Sequence, residues 1–501
     1  MKTPSVIIIG AGIGGLATAL RLAHAGYEVT VLEAHSGPGG KMRTVPSAAG
    51  PIDAGPTVLT MKHVFEDLFA DVGETLGDHI TLQPLDTLAR HYWDDGQTLD
   101  LMADIDASAE EIKQAFGIRA REEFLTFSDR ARRLFSAFDA PMMQHPSPQP
   151  IALAKCVLRQ PKLVADMAPH RSLHTLLCSS FSDPKLVQLF GRYATYVGGS
   201  PFQSPALLSL IWHAEAAGVW SVKGGMHQIA QTIAALAETK GATFHYDTPA
   251  LRISQQGGRA AGVETPTGRI CADAVIFNGD PRALQTGLLG DAITSAVPEV
   301  SVAPRSLSAH VHTFAATPKG ISLAHHTVFF ARKERAEFEA LSAGRTPDDA
   351  TLYLCSQDHP ETGTGRFEII RNAPPDLSQS PKEIAECHAQ TFQRLKAFGL
   401  TFDHAPPVNA LTTPQDFATL FPGSLGSLYG RSPHGMMAAF KRPTAHTQIE
   451  GLYLCGGGAH PGAGVPMATL SGRHAADAIM TDLTLTSRSR QTAMHGGMST
   501  A

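Results

Sequence analysis

A glycine-rich turn at the start of the chain constrains its fold more than any other feature. Residues 6–9 read Val-Ile-Ile-Ile, a β-branched run typical of a strand that is buried on both faces. Apolar residues recur at helical spacing beyond Gly15. Between the two, Gly10 permits a tight turn, Gly12 lets backbone N–H groups approach a pyrophosphate, and Gly15 lets the helix pack on the strand. The segment therefore predicts a dinucleotide-binding unit.

An acidic residue follows the second strand of this unit. Residues 28–32 form the predicted strand, and Glu33 comes about 20 residues after the glycine turn, where a carboxylate accepts hydrogen bonds from a ribose. The competing interpretations are a purely structural turn and a secretory signal. The glycines interrupt the apolar run and a strand follows it, so we prefer the nucleotide interpretation. NAD and FAD are both open at this point.

The length and composition of the chain limit the remaining possibilities. Its 501 residues are enough for two or three cores of ~100–200 residues each. A net charge of −5 with 17% charged residues argues against a nucleic-acid partner. The six cysteines are scattered without a CxxC pair, which favours a cytoplasmic setting. Because no uncharged apolar run reaches ~18 residues, any membrane contact is expected to be peripheral.

A second glycine-rich block lies near the other end of the chain. Residues 451–464 read Gly-Leu-Tyr-Leu-Cys-Gly-Gly-Gly-Ala-His-Pro-Gly-Ala-Gly and lead into a helical pattern. This again predicts strand, turn and helix, in which Gly462 and Gly464 let the backbone pass close to a flat ligand. The N-terminus of such a helix offsets negative charge on a reduced flavin by ~0.3–1 kcal/mol. Glycines that serve packing alone are the alternative.

The pattern between the two glycine blocks indicates inserted segments. The simplest architecture is one nucleotide-binding domain assembled from three separate segments, with a second, substrate- and membrane-facing domain formed by two insertions. We place the first domain at residues 1–75, 220–290 and 431–485, the second at 76–219 and 291–430, and a disordered tail at 486–501. Within the first insertion, residues 151–167 form a basic amphipathic stretch, typical either of a membrane-surface segment or of an ordinary surface helix.

Several motifs together resemble one protein family. Residues 451–471 look throughout like the C-terminal signature of the bacterial-type carotenoid desaturases, which are FAD enzymes of the flavin amine oxidase fold. Residues 53–57 and 220–226 resemble two further motifs of that family, so the resemblance covers essentially the whole chain. Residues 40–47 and 50–60 are most similar to those of the 1-hydroxycarotenoid 3,4-desaturases. Ala459 departs from the threonine that phytoene desaturases often have at this place.

The resemblance implies a fold, a cofactor and a reaction. It implies an α/β, Rossmann-type FAD-binding domain built from discontinuous segments, with an inserted α+β substrate domain. The reaction would remove two hydrogens across C3–C4 of an acyclic 1-hydroxycarotenoid, with flavin N5 as the hydride acceptor. The expected substrate is a long apolar carotenoid, and the expected location is cytoplasmic with peripheral membrane association. Oxygen and a quinone are both open as the electron acceptor.

The predicted FAD contacts come from both ends of the chain. They are Gly10, Gly12, Gly14, Gly15, Glu33, Gly40, Lys41, Arg43, Ala250, Leu251, Gly456, Gly457, Gly464, Val465 and Met467. No catalytic side chain is assigned. His460 and Asp53 are acid–base candidates, but each has a structural role in its loop as the alternative, and Asp280 has the same ambiguity. No metal site is predicted. Residues 193–202 and 207–212 are candidate lining of the substrate pocket, with plain core as the alternative.

Three rival functions are weighed against this interpretation. A phytoene or diapophytoene desaturase would act elsewhere on the polyene, and an amine oxidase would need an aromatic cage that the sequence does not reveal. A non-catalytic prenyl-lipid escort of the same fold would bind isoprenoids without a flavin. Glu33 and the two intact glycine blocks argue against the escort.

Overall fold

A five-stranded parallel sheet joins the predicted segments of the nucleotide-binding domain. The computed structural model of the chain describes residues 3–160, 162–358 and 363–495. The parallel strands come, in spatial order, from Leu452–Leu454, Ala274–Phe277, Ser5–Ile9, Glu28–Leu32 and Thr243–His245. Val6 to Ile9 are all buried, as expected for a central strand covered on both faces.

Different elements pack on the two faces of the parallel sheet. Helices Ile13–His24, His227–Thr239 and Val465–His495 pack on one face, in a core that contains Val6, Ile8 and Leu20. The other face packs against a three-stranded antiparallel sheet through a core that contains Ile7, Ile9 and Ile253. The strands of that sheet are Arg252–Gln256, Arg259–Thr265 and Gly268–Cys271.

A seven-stranded mixed sheet is built from the two inserted segments. Its strands, in spatial order, are Leu411–Thr412, Ser308–Ala316, Gly365–Ala373, Leu352–Ser356, His326–Phe329, Thr87–Tyr92 and Thr98–Met102. His326–Phe329 and Thr87–Tyr92 run parallel, and the other pairs are antiparallel. Helix Pro381–Ala397 covers one face, where Leu395 joins the core of Phe314 and Phe367. The other face is the floor of a cavity.

The first insertion contributes a helical layer. Helices Ile105–Phe116 and Ile118–Phe138 are separated by Gly117, whose φ of +92° lies in the region that favours glycine. Phe124 and Phe127 of the second helix pack against Phe190 and Trp212. The other helices of the layer are Pro150–Arg159, Lys162–Met167, Leu173–Ser180, Pro184–Gly191 and Leu210–Ala216, with a π-helical turn at Asp139–Met143 and 3₁₀ turns at Arg192–Val197 and Ala206–Ser209.

Short elements complete the fold. Two-stranded ladders pair Thr44–Val45 with Ile52–Asp53, Leu82–Pro84 with Trp220–Val222, and Pro318–Lys319 with Thr401–Phe402. The remaining helices are His63–Ala70, Leu76–His79, Arg282–Gln285, Glu334–Ser342 and Pro414–Leu420, with 3₁₀ turns at Asp291–Ala296, Glu299–Ser301, Val408–Ala410 and Ala439–Lys441.

The terminal helix runs into the segment predicted to be a tail. It extends to His495 and so covers residues 486–495, which the sequence assigned to a disordered tail, whereas residues 496–501 lie outside the described part of the chain. None of the helices in the described ranges combines the length and the apolar character needed to span a bilayer.

Candidate active site

One cavity of about 920 Å³ connects the two glycine-rich blocks with the inserted segments. Gly10, Gly12 and Gly14 line it from the N-terminal turn, and Gly456, Gly457 and Gly464 line it from the C-terminal block. The floor of the mixed sheet and the helical layer form the rest of its wall. Two motifs far apart in the sequence therefore meet at one site.

The first glycine turn is shaped by close backbone contacts. Gly10 has a φ of +99°. A Cβ added to Gly14 would lie 2.6 Å from the backbone nitrogen of Gly456, and one added to Gly15 would lie 2.3 Å from the carbonyl oxygen of Gly10. Gly14 thus lets the two glycine blocks touch. Gly15 serves packing and, within the described residues, is not among those that line the cavity.

The helix that starts at Ile13 presents an uncapped N-terminus to the cavity. No side chain caps it at Gly12, and its first turn carries no acidic residue. The first N–H groups of a helix lack partners within the helix, and together with the helix dipole they favour an anion. This turn therefore has the chemistry needed to bind a diphosphate.

Glu33 lies at the edge of the turn, where the sequence predicts the ribose ligand. Its side chain is 5% exposed and lines the cavity. One carboxylate oxygen accepts a hydrogen bond from the backbone N–H of Ala11 at 2.6 Å, and the other accepts from that of His35 at 2.9 Å. These two bonds fix the carboxylate beside the turn.

Three cationic side chains, Lys41, Arg305 and Arg442, lie near the Asp280 carboxylate. Asp280 forms an ion pair with Arg305. Lys41 donates to the carbonyl oxygen of Leu428 at 2.6 Å, and burial lowers the pKa of Lys41 to about 8. Burial also lowers the pKa of Arg442 to about 10. Because the cations outnumber the carboxylate, this region has an excess of positive charge that suits an anionic ligand.

The second glycine block ends at a helix that also begins at the cavity. Gly456, with a φ of +94°, donates its N–H to the Ser471 hydroxyl at 2.7 Å. Gly464 has a φ of +108° and no atoms within 4 Å of where a Cβ would stand, and the helix starts at the next residue. Val465 and Met467 line the cavity. The open space beside Gly464 is a place where a flat ligand can approach the backbone.

Two predicted FAD contacts are directed elsewhere in the structure. Arg43 donates to the Thr412 hydroxyl at 3.0 Å, and its guanidinium lies 5.8 Å from the centre of the Phe417 ring. Leu251 is 52% exposed, whereas its neighbour Ala250 lines the cavity. Of the described residues that line the cavity, neither Arg43 nor Leu251 is one. The roles predicted for them gain no support from this geometry.

The two acid–base candidates are held in structural contacts. The Asp53 carboxylate accepts from the backbone N–H groups of Met226 at 2.7 Å and His227 at 3.1 Å, at the start of helix His227–Thr239. A ring nitrogen of His460 lies 2.9 Å from the carbonyl oxygen of His145, and burial lowers the pKa of His460. Both residues tie their loops to other segments, which corresponds to the structural alternative for each.

Aliphatic and aromatic side chains line the part of the cavity away from the cationic region. Of the two segments predicted to line it, the first contributes Thr195, Tyr196 and Val197, and the second contributes Leu207, Leu208, Leu210 and Ile211. Tyr193 and Trp212 belong instead to the core of the helical layer. The lining also contains Met61, Phe135, Phe138, Met142, Met436 and Phe440.

A small polar network lies within this apolar part. Glu215 accepts hydrogen bonds from the hydroxyls of Tyr193 at 2.8 Å and Tyr196 at 2.7 Å. Arg192 in turn donates to the Tyr196 hydroxyl at 2.9 Å. The opposite charges of Arg192 and Glu215 are therefore joined through a tyrosine. This network occupies both oxygens of the Glu215 carboxylate.

Three buried side chains near the floor have possible metal-ligand atoms close together. The atoms of His325, His326 and Cys355 lie within 4.8 Å of one another, although the sequence predicted no metal site. A ring nitrogen of His326 lies 2.7 Å from the Tyr353 hydroxyl. Structural zinc sites almost always have four protein ligands, and this cluster offers three. The described contacts indicate a hydrogen-bonded group that supports Tyr353.

The comparison with protein families decides the class of this site. Residues 13–480 match the family described as flavin containing amine oxidoreductase. The chain belongs to this family. As in other flavin-containing oxidoreductases, the cofactor is FAD, and the prediction made from the two glycine blocks is confirmed.

Individual relatives show which flavin-containing oxidoreductases this chain is similar to. It is 52% identical to the hydroxyneurosporene desaturase of Cereibacter sphaeroides, over 97% of this chain and 99% of that protein. It is 30% identical to the 1-hydroxycarotenoid 3,4-desaturase of a Flavobacterium species, over 94% and 98%. A cyclohexylamine oxidase from Brevibacterium oxydans has the same fold, with a TM-score of 0.59, 19% identity and coverage of 96% and 100%. The resemblance to carotenoid desaturases and the predicted fold are thereby confirmed.

The residues of the oxidoreductase fit FAD at both ends of the cavity. The uncapped helix at Ile13 and the cations beside Asp280 suit the diphosphate, Glu33 suits the ribose, and the open backbone at Gly464 suits the flavin ring. Three contributors were missed from the sequence. Asn278 donates to the carbonyl oxygens of Gly10 at 3.0 Å and Gly12 at 3.2 Å. Asn278 directly follows strand Ala274–Phe277, and this position was its signal in the sequence, whereas no local sequence pattern marks Arg305 or Arg442.

Proposed function

We propose that this flavoenzyme introduces a C3–C4 double bond into acyclic 1-hydroxycarotenoids. The observation that supports the proposal is the continuous cavity of about 920 Å³, which joins a site suited to FAD with a part lined by apolar side chains, the apolar arm. An extended C40 polyene needs such an arm, because its burial is driven by apolar surface. The functions of the two desaturase relatives described above support the same substrate class.

The protein contributes alignment and a dry site rather than an acid–base pair. FAD, when bound, supplies the hydride acceptor. The side chains of the apolar arm exclude water and hold the polyene against the flavin side of the cavity. The substrate loses one hydrogen as hydride and the neighbouring carbon releases the other as a proton, both of which are taken up overall by bound FAD. The reaction therefore does not require Asp53 or His460 as a base, and their structural roles are compatible with it.

Product analysis tests the proposal against its nearest rival. FAD-loaded protein is incubated in parallel with 1-hydroxyneurosporene and with phytoene, and the products are separated by chromatography. We expect conversion of the hydroxylated substrate to a product with one more conjugated double bond at C3–C4. Conversion of phytoene alone would contradict the proposal and favour a phytoene desaturase.

We also propose that helices Pro150–Arg159 and Lys162–Met167 dock on an anionic membrane. Ile151 and Leu158 are 72% and 79% exposed, and Val164 is 47% exposed. Their helices carry Lys155, Arg159 and Lys162 in the same short segment. Exposed apolar side chains flanked by cations are typical of a segment that lies in a bilayer surface.

The packing of these helices connects the membrane proposal with the cavity. Leu153 and Leu163 are buried in one cluster with Phe138, and Phe440 packs against that cluster. Phe138 and Phe440 also line the apolar arm. A membrane bound at this segment would therefore lie beside the end of the arm, where an apolar substrate has to enter.

Vesicle binding tests the docking surface. The double variant Ile151→Ser, Leu158→Ser should bind vesicles of phosphatidylglycerol about tenfold more weakly than the wild type, because two apolar side chains no longer enter the bilayer. Val300→Ser is the matched control, since Val300 is 52% exposed at a different place. Equal binding of the double variant and the control would contradict the proposal.

A further inference from the structure

Glu368 is a buried acid in the floor of the cavity. It lies in strand Gly365–Ala373, the third strand of the mixed sheet. Glu368, Ile370 and Asn372 all line the cavity, because alternate residues of a strand point to the same face. Tyr353, paired with Ile370 on the next strand, lines it as well. Glu368 is thus the acidic position on an otherwise neutral part of the floor.

The Glu368 carboxyl lacks hydrogen-bond partners in the described structure. Its side chain is 0% exposed, and neither oxygen has a partner. Arg43 is the cation that lowers its pKa, but no ion pair joins the two among the described residues, and Arg43 donates instead to Thr412. A buried carboxyl without a partner is costly, so its presence calls for a ligand that provides one.

Glu215, the other acid in the apolar part, differs in this respect. Both of its oxygens accept hydrogen bonds from tyrosine hydroxyls. Arg192 lies in the same network and offsets the charge of Glu215. Glu215 therefore stabilises the protein itself, whereas the hydrogen-bonding capacity of Glu368 is open to a ligand.

Glu368 is also close to the segment next to the flavin side of the cavity. The Gln357 side chain bonds to both the N–H and the carbonyl of Asp53, at 3.0 Å each. The Tyr353 hydroxyl lies 2.7 Å from that of Thr57. These bonds attach the floor to residues 53–57, part of which also lines the cavity. Asp53 interacts electrostatically with Glu368, so a substrate atom bound by Glu368 would lie beside this segment.

We propose that Glu368 binds the 1-hydroxyl group of the carotenoid and thereby places the C3–C4 bond for reaction. The inference rests on the proposed function. In such a substrate the hydroxyl-bearing carbon is separated from C3 by a single carbon atom, so the group that binds the hydroxyl has to lie beside the reacting carbons. A carotenoid that lacks the hydroxyl would leave the Glu368 carboxyl unpaired, and the site would reject it.

The protonation state of Glu368 matches a neutral hydroxyl. Burial, together with the nearby charge of Asp53, raises the pKa of Glu368 well above its usual value. The protonated carboxyl has both a donor and an acceptor, as a hydroxyl has. The two groups can exchange a pair of hydrogen bonds without burying an uncompensated charge. Glu368 is therefore a specificity-determining residue that contacts the substrate.

Two variants test this role by substrate preference. The ratio of kcat/KM for 1-hydroxyneurosporene to that for neurosporene is measured for wild type, Glu368→Gln and Glu368→Leu. We expect Glu368→Leu to lower the ratio at least ~tenfold, since a hydrogen bond to the substrate is lost. Glu368→Gln, which keeps a donor and an acceptor, should retain most of it. Glu337→Gln is the matched control, because Glu337 is a buried acid that lies outside the cavity lining of the described chain.

A binding measurement gives a readout besides activity. With FAD bound and reduced beforehand, the carotenoid binds without turnover, and the infrared C=O band of the Glu368 carboxyl is identified by its absence in Glu368→Gln. We expect 1-hydroxyneurosporene to shift this band and neurosporene to leave it in place. Because the band is observed in the wild type, the test holds even where Glu368→Leu does not fold.

The outcomes separate the inference from the proposed function. A wild type that prefers the hydroxylated substrate, combined with an unchanged ratio in Glu368→Leu or an unshifted band, would overturn the role of Glu368 alone. A wild type that converts phytoene and not 1-hydroxyneurosporene would overturn the proposed function. A lowered ratio with a shifted band supports both.

Discussion

The two parts of the cavity are built in different ways. The FAD side consists largely of backbone, with glycine turns whose N–H groups and open spaces suit the cofactor, and Gly14 and Gly456 bring its two halves into contact. The substrate side consists of side chains from separate strands and helices, among them Tyr353 and Glu368. The first arrangement allows little change, because backbone atoms cannot be replaced. The second can be altered one side chain at a time.

This contrast predicts different consequences for substitutions in the two parts. A change on the FAD side should remove the cofactor and with it the activity toward every substrate. A change on the substrate side should leave FAD bound and alter the choice of carotenoid.

Gly14→Ala should have the largest effect. The new Cβ would meet the backbone nitrogen of Gly456 at 2.6 Å, and neither backbone can move without disturbing the other glycine block. Such overpacking typically costs ~1–3 kcal/mol, and here it also separates the two halves of the cofactor site. We expect loss of detectable FAD binding in a fluorescence titration. Gly37→Ala is the control, because a Cβ at Gly37 meets nothing within 4 Å. Equal FAD affinities of Gly14→Ala and Gly37→Ala would contradict the role given to the contact between the two glycine blocks.

Glu33→Arg should have a smaller effect on the same side. A carboxylate that accepts from Ala11 and His35 is replaced by a cation, which cannot accept hydrogen bonds from those groups or from a ribose. Hydrogen bonds to charged groups contribute ~1.5–3 kcal/mol, so FAD affinity should fall about tenfold to hundredfold. Glu28→Arg makes the same charge change at an exposed position. An unchanged affinity in Glu33→Arg would refute the role of Glu33.

Acidification should lower the free energy of unfolding of the protein, by a smaller amount for each titrating histidine. Burial lowers the pKa of His91 and His474 to about 3 and that of His310 to about 4. The unfolded chain binds protons near pH 6.5 that these native histidines do not, so stability is full above pH 6.5 and declines as the pH falls toward 4. Between pH 7 and 6 we expect the free energy of unfolding to fall by about 0.5–1 kcal/mol for each histidine. Thermal denaturation at a series of pH values measures this fall. A midpoint that stays constant from pH 7 to pH 5 would contradict this expectation.

The same contrast explains what could be predicted from the sequence. The glycine turns and Glu33 are local patterns, in which a strand, a turn and a helix follow one another within some ~30 residues. Their positions in the structure, including the contact between the two blocks, follow from the strand order of the parallel sheet. The fold class was predictable for the same reason, since alternating strand and helix patterns indicate a parallel sheet.

The substrate side could not be predicted in this way. Glu368 faces the cavity because of the register of its strand with Leu352–Ser356, and no short motif specifies that register. Arg442 reaches the cofactor side from a loop, where it donates to the carbonyl oxygen of Gly457 at 2.9 Å. Arg43 shows the opposite case, since it follows the predicted pattern but binds Thr412 instead. Long-range packing decides all three.

A single-turnover experiment tests the central claim that one cavity joins FAD to a 1-hydroxycarotenoid. FAD-loaded protein is mixed anaerobically with excess 1-hydroxyneurosporene and without an electron acceptor, and the extracted carotenoids are quantified by chromatography. We expect one equivalent of the C3–C4 desaturated product for each bound flavin, and no product from protein without FAD. Absence of product from the FAD-loaded protein, or the same yield without FAD, would contradict that claim.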